Sequence, residues 1–202
     1  MKEVLFYFDF SSPFAYLGAT QIESVAARHH ASVAYRPFLL GALFKAIGTP
    51  DVPLFSMPSA KQAVIQADML RWADHWAVPF RFPTRFPMIT VKPLRMVLQV
   101  PADHRAALVG PIFRAAWVED RDLSDDGELV AIATSAGFDG PALVAGTRDE
   151  AVKHGLKTST EEAVRRGLCG APSFVVGDLL LWGQDRLDFV GRALDGWRPT
   201  HG

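Results

Sequence analysis

Apolar residues fill positions 4–10 (VLFYFDF) except for Asp9, and the run stops at Ser11, Ser12 and Pro13. A short run rich in β-branched and aromatic residues, closed by helix-starting residues, predicts a buried strand that turns straight into a helix. Ser12 is the expected N-cap, with Pro13 at the first helical position. Phe14, Leu17, Ile22, Val25 and Ala26 give this helix an apolar face as far as His29. Alternation returns over residues 32–38 (SVAYRPF) and predicts a second strand. A helix that carries the chain back between two strands makes them parallel.

From about residue 41 the texture changes. The Gly- and Pro-punctuated stretch GTPDVPLFSMPS leads into a helical pattern in which Ala63, Ala67, Leu70, Ala73 and Ala77 recur at spacings of three and four. Residues 78–87 (VPFRFPTRFP) interleave prolines with phenylalanines and read as an extended loop, because each proline removes a donor and biases its predecessor away from helix. Helical patterns follow over 93–100, 105–118, 127–136 and 150–166. SFVV and LLLW then flank Gly177-Asp178 as a hairpin, and residues 186–194 read as a closing helix. The order βαβ, helical block, ββα is the thioredoxin arrangement, an α/β fold with an all-helical domain inserted between its halves. The expected boundaries are 1–40 and 168–202 for the thioredoxin-like domain and 41–167 for the insert and its connections.

At 202 residues the chain is long enough for one domain carrying such an insert. Hydrophobic residues at 49% and charged residues at 21% exclude wholesale disorder. A formal net charge of -1 gives no electrostatic reason to expect nucleic acid or an anionic membrane, so the expected partner is a small molecule. No apolar stretch approaches the roughly 20 residues of a membrane span, and residues 1–20 lack the segments of a signal peptide, which points to the cytoplasm. A lone Cys169 cannot form an internal disulfide, and the histidines show no metal-ligand spacing, so no metal is expected.

In this arrangement the chemistry sits where the first strand enters the first helix, because a helix N-terminus offers unpaired N–H groups and a positive dipole end to an anion. Thiol–disulfide exchange would need C-x-x-C at that turn, which instead reads Ser11-Ser12-Pro13-Phe14. Cys169, with no identified base, is read as a buried structural residue. The second anchor is GAPSF, in which Pro172 is expected in the cis form opposite the helix N-terminus. That geometry turns the Ala171 backbone toward an extended, peptide-like ligand.

FYFDFSSPFAYLG, RPFLLGALFKAIG, VPFRFPTRFP and GAPSF with the downstream WGQDRLDFV resemble, in that order, the 2-hydroxychromene-2-carboxylate isomerase family, a kappa-class glutathione transferase-like group. The resemblance implies glutathione as cofactor, a homodimer, and interconversion of 2-hydroxychromene-2-carboxylate with trans-o-hydroxybenzylidenepyruvate in naphthalene-type degradation. It assigns the catalytic role to Ser12, which would stabilise a thiolate. A free thiol ionises near pH 8.5, and a hydroxyl with a helix N-terminus lowers that by about two units. The bland alternative, a simple N-cap, is compatible with this role.

The resemblance further implies cofactor binding by Lys45, Phe82, Pro83, Ala171, Pro172, Gln184 and Asp185. The γ-glutamyl end would fall to Gln184 and Asp185, since a carboxylate can hold an α-ammonium. Against these stand ordinary readings: a solvated lysine, a loop whose aromatics cover the core, and an acidic residue at a helix start. Phe44, Phe55, Trp72, Phe82, Phe86 and Trp117 are candidates to line an apolar pocket. Thr49 and Ile89 stand where related sequences often carry asparagine or another polar residue. Two alternatives share the cofactor site: a kappa-class-like transferase or peroxidase acting on small electrophiles, and a non-catalytic glutathione- or peptide-binding module.

Overall fold

In the computed structural model, which describes residues 2–200, strand β1 (Lys2–Phe8) pairs in parallel with β2 (Ala31–Pro37) across helix α1 (Pro13–Arg28). β1 also pairs antiparallel with β3 (Ser173–Val176), which turns through Gly177 into β4 (Leu179–Trp182). The sheet order is β2-β1-β3-β4, so β1 is central and both its faces are covered. Phe6 stacks on Phe8 and on Phe174, each pair with ring centroids 5.3 Å apart, while Tyr7 meets Phe38 on the other face. A strand buried on both sides has no polar face to alternate with, which is why its sequence is a continuous apolar run.

Between β2 and β3 the described residues form α2 (Leu40–Ile47), α3 (Pro53–Ser56), α4 (Ser59–His75), α5 (Val91–Gln99), α6 (Arg105–Trp117), α7 (Asp126–Ser135), α8 (Gly140–Gly146) and α9 (Glu150–Arg165). A short 3-10 turn, Gln184–Arg186, leads into the closing α10 (Leu187–Leu194). The strands, the parallel pair, the hairpin and the helices α1, α5, α6, α7, α9 and α10 follow the sequence expectation within a few residues. α2, α3 and α8 were not legible. α2 is short and ends at Gly48, whose φ of 73° is the left-handed C-cap that glycine supplies cheaply. None of the helices described is long and apolar enough to cross a membrane.

The expected apolar face of α4 is turned. Ala63 and Leu70 are exposed and Ala77 lies past the helix end, whereas Met69 and Ala73 are buried with Trp72 and Trp76 packed against the core. Small alanines mark a permissive surface, and the larger Met and Trp side chains choose the buried side. The expected loop over 78–87 is irregular, runs on to residue 90, and is fastened at several points. The Tyr16 hydroxyl donates to Pro79 O at 2.5 Å, the Arg81 N–H donates to Trp117 O at 2.7 Å, and Phe80 stacks on Trp117 at 5.7 Å. Trp117, fully buried, donates its indole N–H to Phe10 O at 2.8 Å. This corrects its expected place in the pocket: the ring is the core pillar between the loop and the end of β1.

Trp117→Phe removes that donor, orphans the Phe10 carbonyl and leaves a void. The expected cost is roughly 2–4 kcal/mol, read as a lower urea midpoint with an unchanged slope. A shift below about 0.5 kcal/mol would contradict the pillar role.

Candidate active site

Ser12 caps α1 from an extended backbone, φ -95° and ψ 118°. Its Oγ accepts the Ala15 N–H at 3.1 Å, and its hydroxyl donates to the Ala171 carbonyl at 2.7 Å. Ser12 O takes the Tyr16 N–H and Pro13 has none, which leaves the Phe14 N–H outside the helix's own bonding. Ala171–Pro172 is cis, and Pro172 O accepts the Gly183 N–H at 3.0 Å, which lays the Gln184–Arg186 turn beside it. Gly18 lets α1 approach this closely, because a Cβ there would sit 3.3 Å from Pro172 Cγ and 3.4 Å from the Phe174 ring. The Ser12 turn, Ala171-Pro172 and Gly183 to Asp185 thus form one edge of a site.

Beside that edge opens a cavity of about 530 Å³. Ser11, Ser12 and Phe14 line one end, Leu40, Phe44 and Ile47 of α2 one wall, and Ile65 and Met69 of α4 another. Phe82, Phe86 and Pro87 come from the loop, and Cys169, Ala171 and Trp182 complete the lining on the Ser12 side. Asp51 is the one charged side chain lining it among the described residues. An aromatic ring fits such a lining, whereas an isolated carboxylate inside it would be costly.

The expected residues divide. Ser12, Ala171, Phe44, Phe82, Phe86 and Thr49 face the cavity, and Pro172 stands directly behind Ala171. Lys45 lies on the solvent side of α2 and is exposed. Pro83 and Ile89 line a different surface hollow near Asp120, with Ile89 68% exposed. Gln184 is buried behind Pro172, and Asp185 is exposed at 3.5 Å from the Arg186 guanidinium. Phe55 and Trp72 lie outside the cavity lining, like Trp117. Cys169 is not buried: it is exposed at the cavity edge, because the turn before β3 leaves it at the surface while Leu168 and Gly170 on either side turn in. Partial burial still pushes its thiol up, so it is a poor thiolate source at neutral pH.

Two residues escaped sequence reasoning. Trp182, at the end of β4, lies over Gly170 and presents its ring to the cavity. Asp9 is 1% exposed, pairs with no cation among the described residues, and sits directly under the Ser12 turn. Its Oδ1 accepts the Ser11 N–H at 3.0 Å and the Thr90 hydroxyl at 2.6 Å, and its Oδ2 accepts the Leu40 N–H at 2.8 Å. Burial pushes its carboxyl above the ordinary range against the pull of these bonds. A lone carboxylate inside an apolar run was the signal for it.

The family described as DSBA-like thioredoxin domain matches residues 3–195. The chain is 32% identical over 189 residues to a 2-hydroxychromene-2-carboxylate isomerase of Sphingobium xenophagum, covering 94% of this chain and 96% of that relative. It is 27% identical to glutathione S-transferase kappa 2 of Caenorhabditis elegans, covering 96% and 94%. A solved 2-hydroxychromene-2-carboxylate isomerase superposes with a TM-score of 0.84 at 26% identity, over 96% of this chain and 95% of that one.

The loop wall depends on Asp120, which accepts the Thr84 N–H at 2.8 Å and the Thr84 hydroxyl at 2.9 Å and pairs with Arg81 at 3.2 Å. The two Thr84 bonds hold its carboxyl below the ordinary range. A lowered carboxyl stabilises above its unfolded value, near 3.9, and the clamp is lost as pH falls through the lowered value. Asp120→Gly suits the local φ of 57° and is expected to speed exchange of the Thr84 amide about tenfold at neutral pH. In the unsubstituted chain the same loosening is expected only in acid, and unchanged exchange in the variant would refute the clamp.

Proposed function

The chain belongs to the DSBA-like thioredoxin domain family, alongside the 2-hydroxychromene-2-carboxylate isomerases, and from that premise we propose that it is a glutathione-dependent isomerase. It interconverts 2-hydroxychromene-2-carboxylate and trans-o-hydroxybenzylidenepyruvate, in the cytoplasm and as a homodimer. The observation that carries this reading is the Ser12 hydroxyl, pinned between the Ala15 N–H and the Ala171 carbonyl at one end of an apolar, aromatic-lined cavity.

The donor set fits a thiol tripeptide. Bound glutathione would supply a thiolate that adds reversibly to a conjugated double bond and so frees that bond to rotate. Ser12 turns its hydroxyl proton from Ala171 O to the sulfur, while its Oγ keeps the Ala15 N–H and the α1 dipole adds a favourable field. The vacated Ala171 carbonyl takes a backbone N–H of the tripeptide in strand-like fashion. One hydrogen bond would be exchanged for another, so the thiol of a bound tripeptide could lose its proton to solvent without orphaning a buried group of the chain. Asp185 and the backbone of buried Gln184, beside Pro172, would meet the γ-glutamyl end, and Phe82, with Pro83 turned to a neighbouring hollow, would cover the tripeptide from the loop side. The substrate ring enters between Phe44, Phe82, Phe86 and Trp182, where it is shielded from water. With Asp51 the cavity's charged residue, the substrate carboxylate stays on the solvent side of the cavity, and exposed Lys45 of α2 is the cation proposed to meet it there.

The kappa-class relative favours a second reading, glutathione transfer to small electrophiles at the same site. Disulfide exchange does not suit a chain with one cysteine.

Ultraviolet absorbance with 2-hydroxychromene-2-carboxylate separates the readings. Equilibration is expected only with glutathione present, and Ser12→Ala is expected to slow it about 100-fold, the size of one lost stabilising donor. The lost cap costs the fold only about 1 kcal/mol. Accumulation of a conjugate with added electrophiles, and no isomerisation, would assign transfer instead. Glutathione binding without either reaction would leave a binding module, and no binding would contradict all of them.

A further inference from the structure

Three walls of the cavity meet at Asp9. Its carboxylate accepts from Ser11 in the turn that carries Ser12, from Leu40 at the start of α2, and from Thr90 just after the loop that carries Phe82 and Phe86. Leu39, the N-cap of α2, makes no side-chain cap bond, and neither does Thr90, the N-cap of α5. Asp9 therefore caps α2 from a distant part of the chain, and its charge faces the positive end of that helix. Three donors converge on it, and two of them are backbone N–H groups that cannot accept, a pattern that an ionised carboxylate satisfies completely and an amide does not.

We propose that Asp9 is a positioning residue for the aromatic substrate: it fixes α2, the wall carrying Leu40, Phe44 and Ile47, at a set distance from Ser12. An amide at position 9 keeps Ser11 and Thr90 by presenting its oxygen to both, and its NH₂ then faces the Leu40 N–H. The Ser12 turn stays in place while the pocket wall is released. Catalytic geometry and substrate fit are thereby separable at one atom, Oδ2.

The kinetic form of this proposal rests on the isomerase reading, and the test is built to fail separately from it. Asp9→Asn is expected to raise KM for the chromene carboxylate about five- to tenfold, the effect of one lost backbone hydrogen bond, with KM for glutathione within about twofold. Leu40→Pro removes the opposing N–H and suits the first helical position, since Leu39 is already extended (φ -90°, ψ 105°). In that background Asp9→Asn is expected to change KM by less than about twofold. An equal effect in both backgrounds, or an equal rise in both KM values, would overturn the proposal.

Hydrogen exchange decides the matter without turnover. The Leu40 amide is expected to lose protection in Asp9→Asn while the Ser11 amide keeps it, and unchanged Leu40 protection would overturn the proposal even where the chain proves to have another activity. If Asp9→Asn does not fold, Leu40→Pro in the unsubstituted chain replaces it, because it removes the N–H that meets Oδ2. Leu40→Pro is then expected to raise the substrate KM about five- to tenfold with that for glutathione within about twofold, and an unchanged substrate KM would overturn the proposal.

Discussion

The hydrogen bond from the Ser12 hydroxyl to the Ala171 carbonyl spans 2.7 Å in space and 159 residues in sequence, and it joins the two halves of the fold where the site opens. Its ends are brought together by the sheet. β3 pairs antiparallel with β1 in the register Leu5 with Val175, Phe6 with Phe174 and Tyr7 with Ser173, so the residues just after β1 and just before β3 lie at the same edge. A slip of one residue would turn Phe174 away from Phe6 and move Ala171 off Ser12 together. The stacked phenylalanines that lock this register are therefore also what places the site.

Around that bond the polar groups are sparse and specific. Ser12 supplies a hydroxyl proton held toward Ala171 at the cavity end, Asp9 organises backbone donors from beneath, and the remaining walls are mainly aliphatic and aromatic. Polar interactions in such surroundings are stronger than in water, and each one left unmatched costs more. On the proposed reading this explains why one serine suffices at a turn that carries no Cys-x-x-Cys pair. The nucleophilic sulfur arrives with the ligand, and the chain supplies orientation and a proton donor. The insert contributes the rest: α2 and α4 form the wall, and Trp117 and Asp120 hold the proline-rich loop against α1 and β1.

Much of this was legible in the chain. The buried run before Ser12, the return to alternation after His30 and the Gly177-Asp178 turn carry strong short-range signals, and they define the sheet. Ser12 and Ala171 were legible because strand–turn–helix and GAPSF are local motifs. What remained hidden depends on tertiary choice. The buried side of α4 is set by Met69 and Trp72 reaching the core, Trp117 serves the core because its indole finds Phe10, and Cys169 is exposed because its neighbours turn inward. Asp9 was visible as an anomaly, but its three partners lie as far off as Thr90, and no local pattern names them.

On the proposed reading, Ser12 stabilises a thiolate on bound glutathione. The most direct measurement is the 240 nm absorbance of the complex titrated with pH, in the unsubstituted chain and in Ser12→Ala. The bound thiol is expected to titrate about two units below the free thiol's value near 8.5, with most of that shift absent in the variant. A bound thiol that titrates at the free value, or an acidic shift that survives in Ser12→Ala, would contradict it.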